Sequence, residues 1–119
     1  MTINVALAGA GAFGIKHLDA LKLIDDVKVV SVIGRDLAKT QEVADKYGIA
    51  HVTDDLAQTL KIKEVDAVIL CTPTQMHASQ TLACLAAGKH VQVEIPLCDV
   101  LADGLQVVQA AQASGKVAM

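Results

Sequence analysis

Apolar residues in this chain fall into two kinds of grouping that take turns along its length. The first kind is a short unbroken run of β-branched and small residues, found at Ile3–Ala8, Val27–Ile33, Ile49–Val52, Asp66–Cys71 and His90–Val93. Runs of this length with little polar alternation predict strands buried on both faces, as in a parallel sheet. The second kind recurs at three- and four-residue steps with polar residues between, the spacing of a helix with one apolar stripe. Ile15, Leu18, Leu21 and Ile24 form the first such stripe, and Leu37, Val43, Ala44 and Tyr47 the second, which Asp36 can cap and Gly48 stop. Asp54 or Asp55 opens a short helix with Leu56 and Leu60 inward, and Met76–Ala87 reads as a helix closed by Gly88. Val100, Leu101, Leu105, Val108 and Ala111 mark a last inward face that ends near Gly115, after which Lys116–Met119 reads as the opening of one more strand.

Strands alternating with helices at this spacing need crossover connections, so the expected fold is α/β, a doubly wound parallel sheet with helices on both faces. No repeat, linker or low-complexity tract interrupts residues 1–119, which read as one domain. A chain that stops about as a sixth strand begins is expected to be a piece of a longer protein.

Composition narrows the function. Of 119 residues, 53% are hydrophobic and 19% charged, enough for one aliphatic core and too apolar for disorder. Ten Lys and Arg against 13 Asp and Glu leave a net charge of -3, and there is one Phe and one Tyr. A nucleic-acid partner is not expected, since neither a basic face nor a set of stacking aromatics is available. Cys71, Cys84 and Cys98 show no paired metal or redox spacing and read as small buried hydrophobes in a reducing compartment. No metal site is expected. The N-terminus has neither a basic leader nor a sustained apolar stretch, so the expectation is a cytoplasmic protein with no membrane partner.

The chemistry is concentrated in Gly9-Ala10-Gly11-Ala12-Phe13-Gly14, a GxGxxG sequence placed after a strand and at the opening of a helix. Gly9 permits the tight turn, Gly11 lets the backbone approach a pyrophosphate, and Gly14 allows helix and strand to pack closely. Free N–H groups and the positive dipole end of the helix then face the phosphates. This context makes the fold Rossmann-type and the ligand a dinucleotide. At the end of the second strand, where NAD-using domains usually place a ribose-binding acid, stand Gly34 and Arg35. Loss of the carboxylate removes repulsion toward a 2′-phosphate, and a guanidinium can pair with one. NADP is therefore expected over NAD. Asp36 could be the acid displaced by two positions, but its reading as a helix cap is preferred.

The glycine loop, Thr72-Pro73-Thr74 followed by His77, and Gly88-Lys89-His90-Val91-Gln92-Val93-Glu94-Ile95-Pro96 together resemble the cofactor domain of the glucose-fructose oxidoreductase and inositol dehydrogenase family, Gfo/Idh/MocA. The resemblance runs along the whole chain. It implies that the threonine-proline loop and the glutamate border the nicotinamide ribose, which adds Cys71, Thr72, Pro73, Thr74, His77, Glu94 and Pro96 to the cofactor-binding set. It also implies a cis peptide before Pro96, most substrate contacts on a C-terminal domain outside this chain, and a homo-oligomer formed through that domain. Most members have Glu-Lys-Pro where this chain has Glu94-Ile95-Pro96, and isoleucine can neither donate a hydrogen bond nor move a proton. No catalytic residue is assigned to this chain.

The surrounding residues are similar to a branch that lacks the lysine and oxidises a cyclic hemiacetal to 2-pyrone-4,6-dicarboxylate, passing hydride to the nicotinamide. The implied substrate is a small carboxylated molecule. An inactive nucleotide-sensing or transcription-regulating protein on the same fold is the alternative. Among the histidines only His77 is placed near the nicotinamide side, while His17, His51 and His90 are given packing or capping roles. Lys89 precedes the fifth strand, at the edge away from the ligand crevice, and is expected to be solvated.

Overall fold

In the computed structural model, which describes residues 1–119, the order of elements is β1 (Ile3–Ala8), α1 (Ala12–Leu21), β2 (Val27–Ile33), α2 (Leu37–Tyr47), β3 (His51–Thr53), α3 (Leu56–Leu60), β4 (Ala67–Leu70), α4 (Thr74–Ala86), β5 (His90–Val93) and α5 (Leu101–Ser114). All five strands are parallel, in the order β3-β2-β1-β4-β5. Val117–Met119 extends this order: Ala118 bridges Val91 in parallel, with Val91 N–H donating to Val117 O and Val93 N–H to Met119 O.

The central strands are apolar along their C-terminal halves apart from Ser31, because both faces are covered there. Successive side chains of β1 point to opposite sides: Val5 and Leu7 join Leu18, Val32 and Ala44 under α1 and α2, while Ala6 and Ala8 join Val68, Leu70, Cys84 and Leu85 under α3 and α4. Leu7, Leu70, Val32 and Val68 are completely buried, each worth roughly 1.5–3 kcal/mol of transfer free energy. A buried polar cluster pins the β3 edge, where the Ser31 hydroxyl meets both His51 Nδ1 and Thr59 Oγ1 at 2.9 Å.

Several expectations shift. β3 begins at His51 rather than Ile49, because Ile49 is drawn into the core as the chain leaves the left-handed Gly48. Asp55, not Asp54, caps α3 by accepting from Ala57 N–H. α4 starts at Thr74, two residues before the expected Met76, because Pro73 supplies its entry. The first helix stops at Leu21, leaving Ile24 in an exposed turn.

The last helix is turned differently from its expected face. Its buried residue is Val107, flanked by the half-buried Gly104 and the expected Ala111, whereas Leu101 is 79% exposed and Leu105 55%. α5 is apolar on more than one side, and it packs on α4. Lys89 also departs from expectation: it is only 8% exposed, and its Nζ donates to Ile62 O at 3.0 Å and Val65 O at 2.7 Å, tying the turn after α3 to the start of β5.

Candidate cofactor site

Strand order reverses direction between β1 and β4, and in open parallel sheets the crevice outside the strand C-termini at such a point is where ligands bind. Two loops meet there. The glycine loop leaves β1 and Cys71–Pro73 leaves β4, both in register because Cys71 N–H donates to Ala8 O at 2.7 Å.

The glycines have separable physical roles. Gly9 has φ +96°, and a Cβ on it would overlap the Cys71 carbonyl oxygen, so the turn passes directly against the β4 exit. A Cβ on Gly14 would overlap the Gly9 carbonyl, so helix α1 can sit on the loop only if this residue has no side chain. Gly11 differs: a Cβ there would meet no protein atom within 4 Å. The fold does not need this glycine, and the gap it leaves opens on the crevice at the N-terminus of α1. That is the space a pyrophosphate requires.

The larger crevice has a volume of about 750 Å³ and is lined by the expected Gly9, Ala10, Gly11, Gly34, Arg35, Cys71, Thr72 and Pro73, together with Ile33, Asp54, Asp55, Leu56, Met76 and Gln80, which sequence reasoning left out. Asp54, Asp55 and Leu56 enter because β3 lies beside β2 and its exit folds over the Arg35 end. No local pattern marks them. Gln80 lies two turns into α4 and holds the Thr72 hydroxyl through its Oε1 at 2.5 Å. At the β2 exit, a Cβ on Gly34 would overlap Thr40 Oγ1, so a side chain at this position would push aside the hydroxyl that donates to Asp36 O. Asp36 is the α2 cap, accepting from Lys39 N–H at 3.1 Å.

A second, smaller crevice continues past the glycine loop and is lined by Phe13, Cys71, Thr72, Thr74, His77, Glu94 and Ile95. Ala12, Gly14 and Pro96 line neither crevice; Ala12 and Gly14 build the start of α1, and Pro96 follows a cis peptide and offers its carbonyl to His77. His77 itself is 2% exposed, with Nδ1 2.8 Å from Pro96 O and Nε2 2.7 Å from Thr72 O, so both ring nitrogens are engaged by the protein.

His17 is the residue the sequence reading set aside and the structure brings in. Its Nε2–H donates to Glu94 Oε1 at 2.6 Å, and Cys71 Sγ lies within 4.8 Å of both groups. Only its place one turn into the glycine-loop helix could have hinted at this. Burial, followed by the negative field of Glu94, pushes the Cys71 thiol up to about 11. Cys71 therefore stays a protonated thiol near neutrality and offers no thiolate nucleophile. His51 and His90 lie elsewhere: His51 joins the Ser31 cluster, and His90 Nδ1 accepts from Val117 N–H.

Comparison with known proteins agrees with this geometry. The Gfo/Idh/MocA family model, described as an oxidoreductase family with an NAD-binding Rossmann fold, matches residues 3–119. The chain is 58% identical over 117 residues to 4-carboxy-2-hydroxymuconate-6-semialdehyde dehydrogenase of Sphingobium sp., covering 98% of this chain and 37% of that protein. Among solved structures, a WlbA dehydrogenase from Chromobacterium violaceum in complex with NADH and UDP-GlcNAcA superposes with TM-score 0.93 at 32% identity, covering 99% of this chain and 34% of that one. Biliverdin reductase from Synechocystis sp. PCC 6803, in complex with biliverdin and NADP+, superposes with TM-score 0.91 at 28% identity, covering 98% of this chain and 36% of that one. The chain thus spans about a third of the length of the curated relatives it matches.

Proposed function

The chain belongs to the Gfo/Idh/MocA oxidoreductase family, and we propose that it is the NADP-binding part of a dehydrogenase that oxidises the cyclic hemiacetal of 4-carboxy-2-hydroxymuconate-6-semialdehyde to 2-pyrone-4,6-dicarboxylate. The observation that carries the cofactor reading is Gly11, whose missing side chain the fold does not use and a pyrophosphate would. Arg35 beside a side-chain-free Gly34 favours the cofactor with a 2′-phosphate. The likeness to the Sphingobium dehydrogenase supports the substrate.

The bound nicotinamide would accept hydride from the hemiacetal carbon while the hydroxyl gives up its proton and its oxygen becomes the lactone carbonyl. Residues of this chain hold and orient. The glycine loop and the α1 N-terminus take the pyrophosphate, and Arg35 takes the adenosine phosphate. Phe13, Thr72, Thr74 and Glu94 surround the opposite half. Cys71, held protonated, makes a thiohemiacetal route through its own sulfur unfavourable and suits direct oxidation of the hemiacetal. Ile95 offers no proton acceptor and the Glu94 carboxylate beside it is already bonded to His17, so the base is assigned to the part of the protein outside residues 1–119.

The test is titration of the chain with NADPH and NADH, followed by turnover of the hemiacetal by the whole protein. Tighter NADPH binding with NADP-dependent pyrone formation is expected. NADPH binding without oxidation of any hydroxy or hemiacetal acid would instead establish the nucleotide-sensing alternative, which Ile95 in the lysine position favours.

A further inference from the structure

His17, Cys71 and Glu94 belong to three separate segments, helix α1 and the exits of β4 and β5, and their donor atoms converge. His17 Nε2, Cys71 Sγ and a Glu94 carboxylate oxygen all lie within 4.8 Å of one another, and the nitrogen and oxygen are 2.6 Å apart. All three side chains are half-buried, and no other three His, Cys, Asp or Glu side chains come together in this way. The hydrogen bond between His17 and Glu94 uses two members of the group and does not involve the sulfur.

An imidazole nitrogen, a cysteine sulfur and a carboxylate oxygen are the donor types that zinc accepts, whereas magnesium and calcium take oxygen. In a tetrahedral site with bonds of about 2.0–2.3 Å, ligand atoms stand roughly 3.3–3.8 Å apart. The observed separations, from 2.6 Å up to the 4.8 Å limit, bracket that range, so rotation about side-chain bonds is enough to close the set. A thiolate and a carboxylate also cancel the two charges of the ion, which leaves a half-buried site neutral when filled. The Cys71 sulfur keeps its proton while no cation is near, and a thiol that coordinates a divalent cation gives it up outright.

We propose that His17, Cys71 and Glu94 form a zinc site with its fourth position open to the smaller crevice, and that the bound ion excludes the nicotinamide half of the dinucleotide. The exclusion rests on the dinucleotide reading; the site does not. Cys71 and Glu94 line the smaller crevice with Phe13, Thr72 and Ile95, and His17, bonded to Glu94, completes the set from α1. Three protein ligands leave a tetrahedral ion one position for water, and the space beside Cys71 and Glu94 is the crevice itself. The ion and its water therefore take room that the nicotinamide half needs. Arg35 lies in the larger crevice at the β2 exit and stays free for the other half. Spacing of cysteines along the chain gives no sign of such a site, because its ligands come from three distant segments.

The test is titration of the chain with cobalt, a spectroscopic substitute for zinc, in the presence of a non-chelating reductant. One equivalent should give tetrahedral d–d bands and a thiolate-to-cobalt charge-transfer band, which zinc should abolish and magnesium should not. These bands read the site in the unsubstituted chain, so the test does not depend on a variant folding. Cys71→Ser should lose the charge-transfer band, Cys98→Ser should keep it, and His17→Gln should weaken zinc by about tenfold or more. Absence of cobalt binding, binding without the thiolate band, or a band that survives Cys71→Ser would overturn the site. The exclusion is read by comparing NADPH with adenosine 2′,5′-bisphosphate, which lacks the nicotinamide half. One equivalent of zinc should weaken NADPH about tenfold in the unsubstituted chain and change the bisphosphate by less than about twofold. The same addition to Cys71→Ser should leave its own NADPH affinity within about twofold. No loss of NADPH, or equal losses for both ligands, would overturn the exclusion. A chain that binds zinc but neither nucleotide would overturn the dinucleotide reading and the exclusion with it, while the cobalt spectrum would still decide the site.

Discussion

His17 Nε2 and Glu94 Oε1, 77 residues apart, are joined by a 2.6 Å hydrogen bond that ties the glycine-loop helix to the exit of β5. Both side chains are partly enclosed, at 20% and 29% exposure, so the carboxylate depends on this donor more than a surface group would. His17→Ala is expected to lower unfolding free energy by about 1–2 kcal/mol, the scale for a partly screened hydrogen bond to a charged group. Glu94→Gln keeps an acceptor for the ring and should cost less. Urea unfolding of both variants measures the difference, and equal costs would contradict it.

Gly11 and Gly14 should separate binding from folding. Gly14→Ala forces a Cβ into the Gly9 carbonyl and is expected to destabilise the chain by about 3 kcal/mol or more. Gly11→Ala meets no protein atom and should change stability by less than about 1 kcal/mol. Its NADPH affinity should nevertheless collapse. Thermal unfolding and fluorescence titration of the two variants give the comparison.

Arg35→Ala should weaken NADPH by about 1.5–3 kcal/mol, the range for a hydrogen bond to a charged group, and NADH far less. Isothermal titration with both cofactors distinguishes this from a role in the fold, which would cost both alike.

Burial raises the Cys84 thiol to about 12, and burial with the nearby Glu94 raises Cys71 to about 11. A thiol raised in the folded state contributes stability that is full below its unfolded value near 9 and lost as pH rises toward 11–12, because the unfolded chain releases the proton first. Unfolding free energy should fall through that window. Cys71→Ser and Cys84→Ala, each compared with its own neutral-pH stability, should show a shallower fall.

Ile95 is 88% exposed at the mouth of the second crevice. Ile95→Lys in the whole protein should alter KM for the hemiacetal more than kcat, because a lysine pairing with a substrate carboxylate acts equally on ground and transition states. A kcat gain of about tenfold, or about 1.4 kcal/mol of barrier, would identify position 95 as a lost catalytic site.

The alternating order of strands and helices, the parallel sheet, the GxGxxG loop at the opening of α1 and the Gly34-Arg35 pair at the exit of β2 are all legible in the sequence. These are legible because they rest on local requirements: period, β-branching, chain reversal at glycine and the charge at one strand exit. β1, β2 and β5 have the expected bounds, while β4 is shorter by one residue at each end, Ala67–Leu70. Tertiary structure decided what depends on residues far apart. Lys89 is buried because two carbonyls of the turn after α3 lie within its reach, and α5 turns Val107 rather than its leucines toward α4. His17 reads as an ordinary helix residue until β5 brings Glu94 beside it. The same holds for His77, whose two carbonyl partners, Thr72 and Pro96, come from the loops that leave two different strands.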